Sequence, residues 1–441
     1  MMEQKEKSAR IDPSIELLKF IEEKIEILEL PLEQPFIRKV PKEFLNGHAK
    51  IYEPISISIG PLYYKMEEEP AKEFKKWCLK DFIDRLKKKG SSKKELVGVI
   101  LGMQQQIREC YGDLDHDMSD FMLGQIMLLD GCFIMELFRH RDLGKDMVHG
   151  SKEKVPLVTL QQDLLKIENQ LPFSVLKTLA NLLEKSNSGN NTTEGLIKLA
   201  LGFFNIPKPK DLRTKPRHLL ELVLDALFFT KIPTTHHNIP VAPASSNVGH
   251  GVEKRSSSIM EANSASILKM HGITLEASDC GNGLAMVEFK NSTGKLRIPQ
   301  LVVQESTQTM FWNLLVFEMY SCPNSRIFTS YVVLMDTLID NVEDVRVLLE
   351  AKILVSRNND VSSLVSLFNE MSAYVSATDF YFEQQVREMS RYCRSTGPAL
   401  RACSLKTYNE FRWDPLNSAL IFILTITQTL FSILAYKPKG N

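Results

Sequence analysis

Few residues in this 441-residue chain have types and spacings that could do chemistry, and each reads better as structure. His140-Arg-Asp-Leu143 copies the opening of a protein-kinase catalytic loop. A kinase needs an asparagine five residues beyond the aspartate to hold magnesium; here that position is Met147, and no glycine-rich loop or DFG triplet accompanies it. The tetrapeptide is therefore expected to be a charged turn after a core helix. His236, His237 and His250 could recruit a metal, but they lie in a Pro- and Ser-rich stretch without rigid carboxylate or cysteine companions. Asp336 with Asp340, and Glu343 with Asp344, bring carboxylates close on helices, as a general acid and base would need. Solvated helix faces carry such pairs routinely. No GxSxG elbow offers a serine nucleophile. Cys78, Cys110, Cys132, Cys280, Cys322, Cys393 and Cys403 are scattered, odd in number and never form a CxxC pair. That pattern argues against a disulfide scaffold or a thiolate zinc site and fits a reducing compartment. The sequence thus assigns no catalytic residue, no cofactor and no metal ligand.

With no reaction to position, the elements themselves carry the reading. Basic and acidic residues balance at 54 each, so no global field recruits nucleic acid. Lys87-Lys-Lys89 lacks interleaved aromatics and reads as a solvated face. The periodicity predicts a mainly α protein: a large multi-helical body with a few short strands, about 52–60 and 284–301. Residues 1–35 form an amphipathic helical extension, 36–231 the first part of the body, 232–263 a flexible linker or long loop, and 264–415 the second part. Ile55, Ile57 and Ile59 alternate with serines, which is strand periodicity. Ser91-Ser92 is placed to cap a helix starting near Lys93. Asp117 to Arg139 is apolar for most of its circumference and predicts a buried core helix, its charges making a membrane span the weaker reading. Ser186 to Glu194 reads as a polar loop, and the last long helix of the body runs from about Asp379 to Cys393.

Leu416 to Tyr436 is an uncharged 21-residue stretch, with Lys437 to Asn441 as a short tail. A helix of that length matches a hydrocarbon core about 30 Å thick. Trp413 before it, and Tyr436, Lys437 and Lys439 at its far end, suit the headgroup regions. Leu416 and Tyr436 are therefore the expected boundaries of a transmembrane helix. Ser418, Thr425, Thr429 and Ser432 share one stripe, where they could pack against another helix. Arg387, Arg391, Arg394, Arg401, Lys406 and Arg412 precede the span, an asymmetry that puts the body in the cytosol as a single-pass, tail-anchored protein. The competing reading makes the stretch a core helix packed inside the body.

Several segments together resemble a plant family of unknown biochemical activity, DUF247 (UPF0481). They include Ile37-Arg-Lys-Val-Pro41, Tyr52-Glu-Pro, Ser58-Ile-Gly-Pro61, Met127 to Glu136 and Leu165-Lys-Ile-Glu-Asn-Gln-Leu-Pro-Phe173. Arg217-His-Leu-Leu220, Leu296-Arg-Ile-Pro-Gln-Leu301, Asn313-Leu-Leu with Glu318, Asp344-Val345, Leu367-Phe-Asn369 and Leu424 to Thr429 continue the match in order. The resemblance implies a mostly helical plant protein with a C-terminal transmembrane helix and no established enzyme activity. Some relatives are implicated in reproduction, including pollen-side self-incompatibility. Together these observations predict a non-enzymatic, membrane-anchored interaction or signalling protein with an unidentified protein partner. The alternative is an enzyme of unrecognised type using dispersed carboxylates or histidines, which requires a pocket where they converge.

Overall fold

The computed structural model describes residues 35–45, 47–144, 155–184, 189–209, 212, 215–228, 263–279, 283–322, 326–356, 361–375, 380–413, 423–429 and 431. It is mainly helical with a few short strands. Nearly all of the extension 1–35 and of the 232–263 linker lies outside these residues, as do Leu416 and Tyr436.

The first half of the body is built around the helix Asp120–Asp142, as its mostly apolar circumference predicts. Ser119 caps it by accepting the Met122 N–H at 3.2 Å. The helices Glu69–Lys88, Lys93–Gly102, Phe173–Glu184 and Gly189–Phe203 pack around it. Among the described residues it is the one helix long and apolar enough to cross a membrane, and 72% of its apolar window is buried in the body. Gly131 lets a neighbour come close: a Cβ there would stand 2.6 Å from Leu179 Cδ1. Gly131→Ala should therefore destabilise the fold by about 1–3 kcal/mol through overpacking. A denaturant midpoint unchanged from wild type would show that Leu179 moves aside freely.

Lys93–Gly102 starts with a capping box, Ser92 Oγ accepting from Glu95 N and Glu95 Oε2 from Ser92 N, both at 3.1 Å. The second half centres on Thr307–Ser321 and Ile327–Leu338, whose Phe311, Trp312, Leu315, Phe317, Tyr331 and Leu334 are fully buried. Two small sheets flank them. β1 (Thr274–Ser278) pairs parallel with β3 (Lys295–Pro299), which pairs antiparallel with β2 (Glu288–Lys290) across a turn closed by Gly294 at φ 61°. β4 (Leu301–Val303) pairs parallel with β5 (Leu354–Ser356).

Three expectations need correction. Residues 53–60 are not a strand: a short helix ends at Tyr52, and the backbone that follows bonds to side chains rather than to a neighbouring strand. The proposed polar loop 186–194 is helical from Gly189, because Leu196, Ile197, Ala200 and Leu201 bury one face and carry the polar first turns with them. The body's last helix is not the one ending near Cys393. Glu383–Arg394 is followed by Thr396–Trp413, which packs on Ala265–Met270 and on Glu383–Arg394.

Candidate functional site

The densest polar cluster is buried, and it is built from the loop between the helices Leu157–Leu164 and Phe173–Glu184. Asp163 is fully buried and accepts the N–H groups of Ile55, Ser56 and Ile57 at 2.7, 2.8 and 3.0 Å. Asn169 continues along the same segment, taking Ile59 N–H at 2.6 Å and giving its amide to Ile57 O at 3.0 Å. Asp130, from the central helix, accepts Gly60 N–H at 2.7 Å. Gly60 has φ 75°, and a Cβ there would lie 2.7 Å from Gln170 O, so both backbone sign and space demand glycine. Glu168 accepts from Val40 N at 2.6 Å and from Tyr63 OH, and Ile167 N donates to Asn313 Oδ1 at 2.8 Å. Three side chains, Asp163, Asn169 and Asp130, thus replace the strand that Ile55–Gly60 lacks.

Two lysines balance the buried carboxylates. Lys75, 2% exposed, pairs with Asp130 and Glu67 and donates to Ser58 O. Lys166, fully buried, donates to Glu53 O and sits 3.4 Å from Asp163. Burial pushes the Asp130 carboxyl up to about 6 against the attraction of Lys75. Burial also raises Glu168 and lowers Lys166. Shifts of this kind mark many active sites. Here, however, the shifted groups hold backbone, and none of them lines the cavity described below. The arrangement works as a clasp that fastens residues 37–67 to the body.

A second cluster joins Asp81, Glu136 and His140, whose ligand atoms lie within 4.8 Å of one another. Glu136 is already occupied: Arg85 reaches Oε1, and Arg139 reaches Oε2 at 2.6 Å. His140 Nε2 lies 2.9 Å from Arg139 Nη2, a contact that makes the ring nitrogen an acceptor. Two guanidinium groups at the central carboxylate oppose a divalent cation, so the group fits an ion-paired cross-link between helices rather than a metal centre. His140 to Asp142 form the last turn of the core helix, with Arg141 bonded to Asn205 Oδ1 at 3.1 Å.

The other candidate carboxylates do not converge on a pocket. Asp344 accepts from Ser266 N, Asp340 N and Asn341 N, while Glu343 pairs with Arg346. His236, His237 and His250 lie outside the described residues. Burial pushes the Cys78 and Cys132 thiols up and raises Cys322 to about 12, so none is poised as a nucleophile.

The clasp was missed by composition and spacing, although its residues fill the resemblance segment Leu165–Phe173. The available signal was a run of Lys166, Glu168, Asn169 and Gln170 between two apolar helical patterns, where an exposed loop would rarely be so short and so flanked. Of the stretch 416–436 expected to span a membrane, Ile423 to Thr429 and Phe431 are helical among the described residues, with Ile423, Leu424, Ile426 and Phe431 exposed by 64, 58, 46 and 69%. Thr429 Oγ1 donates to Thr425 O at 2.7 Å and Thr427 Oγ1 to Ile423 O.

Comparison with known proteins agrees with the motif pattern. Residues 37–427 match the model of DUF247, described as a plant protein of unknown function. Two relatives come from Arabidopsis thaliana. UPF0481 protein At3g47200 is 27% identical over 92% of this chain and 88% of its own length. Putative UPF0481 protein At3g02645 is 22% identical over 90% of each. No solved structure matches. The chain belongs to the DUF247 family.

Proposed function

We propose that this DUF247 chain is a membrane-anchored interaction protein, its helical body held beside a bilayer by Leu416–Tyr436 and presented to a protein partner. The observation that carries the reading is the state of residues 423–429 and 431. Their large apolar side chains stand exposed, and two threonine hydroxyls bond back to carbonyls of their own helix. Water penalises such a surface, whereas lipid accepts it provided the polar groups are satisfied internally. Among the described residues, the buried carboxylates of Asp163, Asp130 and Glu136 are spent instead on holding backbone or arginine. We extend the reading to a cytosolic body, from the arginines before the span, and to signalling or reproductive recognition, from the family resemblance.

Fractionation tests the anchor. The full chain should sediment with membranes and resist alkaline extraction. Ile423→Lys with Ile426→Lys should release it, since each buried lysine costs roughly 2.5–3.5 kcal/mol near a span's centre. Extraction of the wild type by alkali alone would overturn the proposal.

A further inference from the structure

Where the two halves of the body meet, they leave a cavity of ≈ 110 Å³. One wall comes from the first half: Leu165, Phe204 and Ala226 with Gln161. The other comes from the second half: Leu284, Leu301 and Met310 with Gln304, Ser306 and Thr307. Its mouth is at Asn205, Pro207 and Val302, all exposed, Val302 by 38%. Packed interiors hold few voids larger than a water molecule, and an apolar cavity of about 150 Å³ accepts benzene.

The lining decides the chemistry. No lining residue is ionisable. A carboxylate or phosphate would therefore lose its hydration there without a countercharge. Two of the polar groups are already committed: Gln161 donates to Phe203 O at 2.6 Å, and Gln300 to Lys352 O at 3.0 Å. Thr307 Oγ1 is occupied by Gln304 N–H at 2.8 Å. Ser306 stands at the N-cap of Thr307–Ser321, yet its hydroxyl makes no capping bond. Its hydroxyl, with the Gln304 side-chain amide beside it in the lining, is left to meet a ligand.

We propose that this cavity binds one neutral, single-ring molecule, apolar over most of its surface and carrying one hydroxyl that meets Ser306. Such a ligand would touch both halves of the body and stabilise their junction by mass action. The site does not depend on the membrane reading.

Ligand-observed saturation-transfer NMR on the full chain in lipid nanodiscs tests it, with para-cresol as the probe, ionised para-toluate as the charged counterpart and empty nanodiscs as the blank. The expected result is transfer to para-cresol beyond the blank and none to para-toluate. Val302→Arg, at the exposed mouth, should weaken para-cresol binding about tenfold or more, equivalent to about 1.4 kcal/mol. Ala226→Leu, which fills the cavity from inside, should do the same. Transfer no greater than in empty nanodiscs, equal transfer to para-toluate, or para-cresol binding that survives both substitutions would each overturn the site. An alkali-extractable chain would sink the anchor alone and leave this measurement standing in plain buffer.

Discussion

Asp163→Ala is expected to lower the stability of the chain by about 3–5 kcal/mol, the cost of removing one partner from a buried pair. The carboxylate answers three consecutive backbone N–H groups and lies 3.4 Å from fully buried Lys166. Its loss leaves the lysine charge with only the Glu53 carbonyl and strips Ile57 N–H of its acceptor in the interior. An unmet buried donor alone costs about 1–3 kcal/mol. Asp163→Asn keeps one oxygen and should lose less, because it can still serve part of the segment while failing Lys166. Against a total stability of about 5–15 kcal/mol, the alanine loss is a large fraction. Urea midpoints followed through buried Trp312 would measure it, and limited proteolysis should cut between Glu53 and Ser58 first. A loss below about 1 kcal/mol for alanine would mean that the segment is held by its apolar side chains and that the clasp is incidental.

The same residues explain how far sequence reasoning reached. Helices were legible where an apolar face or a cap marked them: Ser92 before Lys93–Gly102 acts as its position suggests, while the Ser119 cap of Asp120–Asp142 emerges only in the structure. Alternation at Ile55, Ile57 and Ile59 was legible but misleading. It would send alternate side chains inward, yet the structure buries Ser58 together with Ile57 and Ile59 and exposes Ile55. Alternation says nothing of where the backbone hydrogen bonds go, and here they go to Asp163, Asn169 and Asp130, from 70 to 110 residues away. Such partners are set by tertiary packing and leave no local period. Gly189–Phe203 was obscured by its Gly-Asn-Asn-Thr-Thr opening, which reads as a turn until the later apolar face docks on the core helix. The carboxylates inside Asp120–Asp142 were visible as interruptions. That they meet Lys75 and Arg85 from one neighbouring helix was not.

Two buried groups, Asp130 of the clasp and His218, should give the protein a hidden pH dependence. Asp130 is raised from 3.8 to about 6, chiefly by burial, with Glu67 adding to the effect and Lys75 and Gly60 N–H opposing it. His218 is lowered from 6.5 to about 4, also by burial, with Arg217 adding and Glu221 opposing. Its ring lies against Phe36 and Phe317, Nδ1 accepts Glu221 N–H at 3.2 Å, and Nε2 is buried. The signs are opposite. Folded Asp130 keeps a proton that the unfolded chain has lost, so its contribution is present below about pH 4 and disappears as pH rises through about 6. Folded His218 refuses a proton that the unfolded chain accepts, so its contribution is present above about 6.5 and disappears as pH falls through about 4. Each amounts to about 3 kcal/mol at 1.36 kcal/mol per unit, and over the shared window they nearly cancel. Asp130→Asn, which retains an acceptor for Gly60, should therefore uncover stability that rises by about 3 kcal/mol from pH 4 to 6.5 relative to wild type. His218→Asn, which retains a capping acceptor for Glu221 N–H, should uncover a fall of similar size over the same range. Urea midpoints at half-unit pH steps would separate the two curves. Variant profiles that run parallel to wild type across this range would show that neither group is held in its folded protonation state by burial.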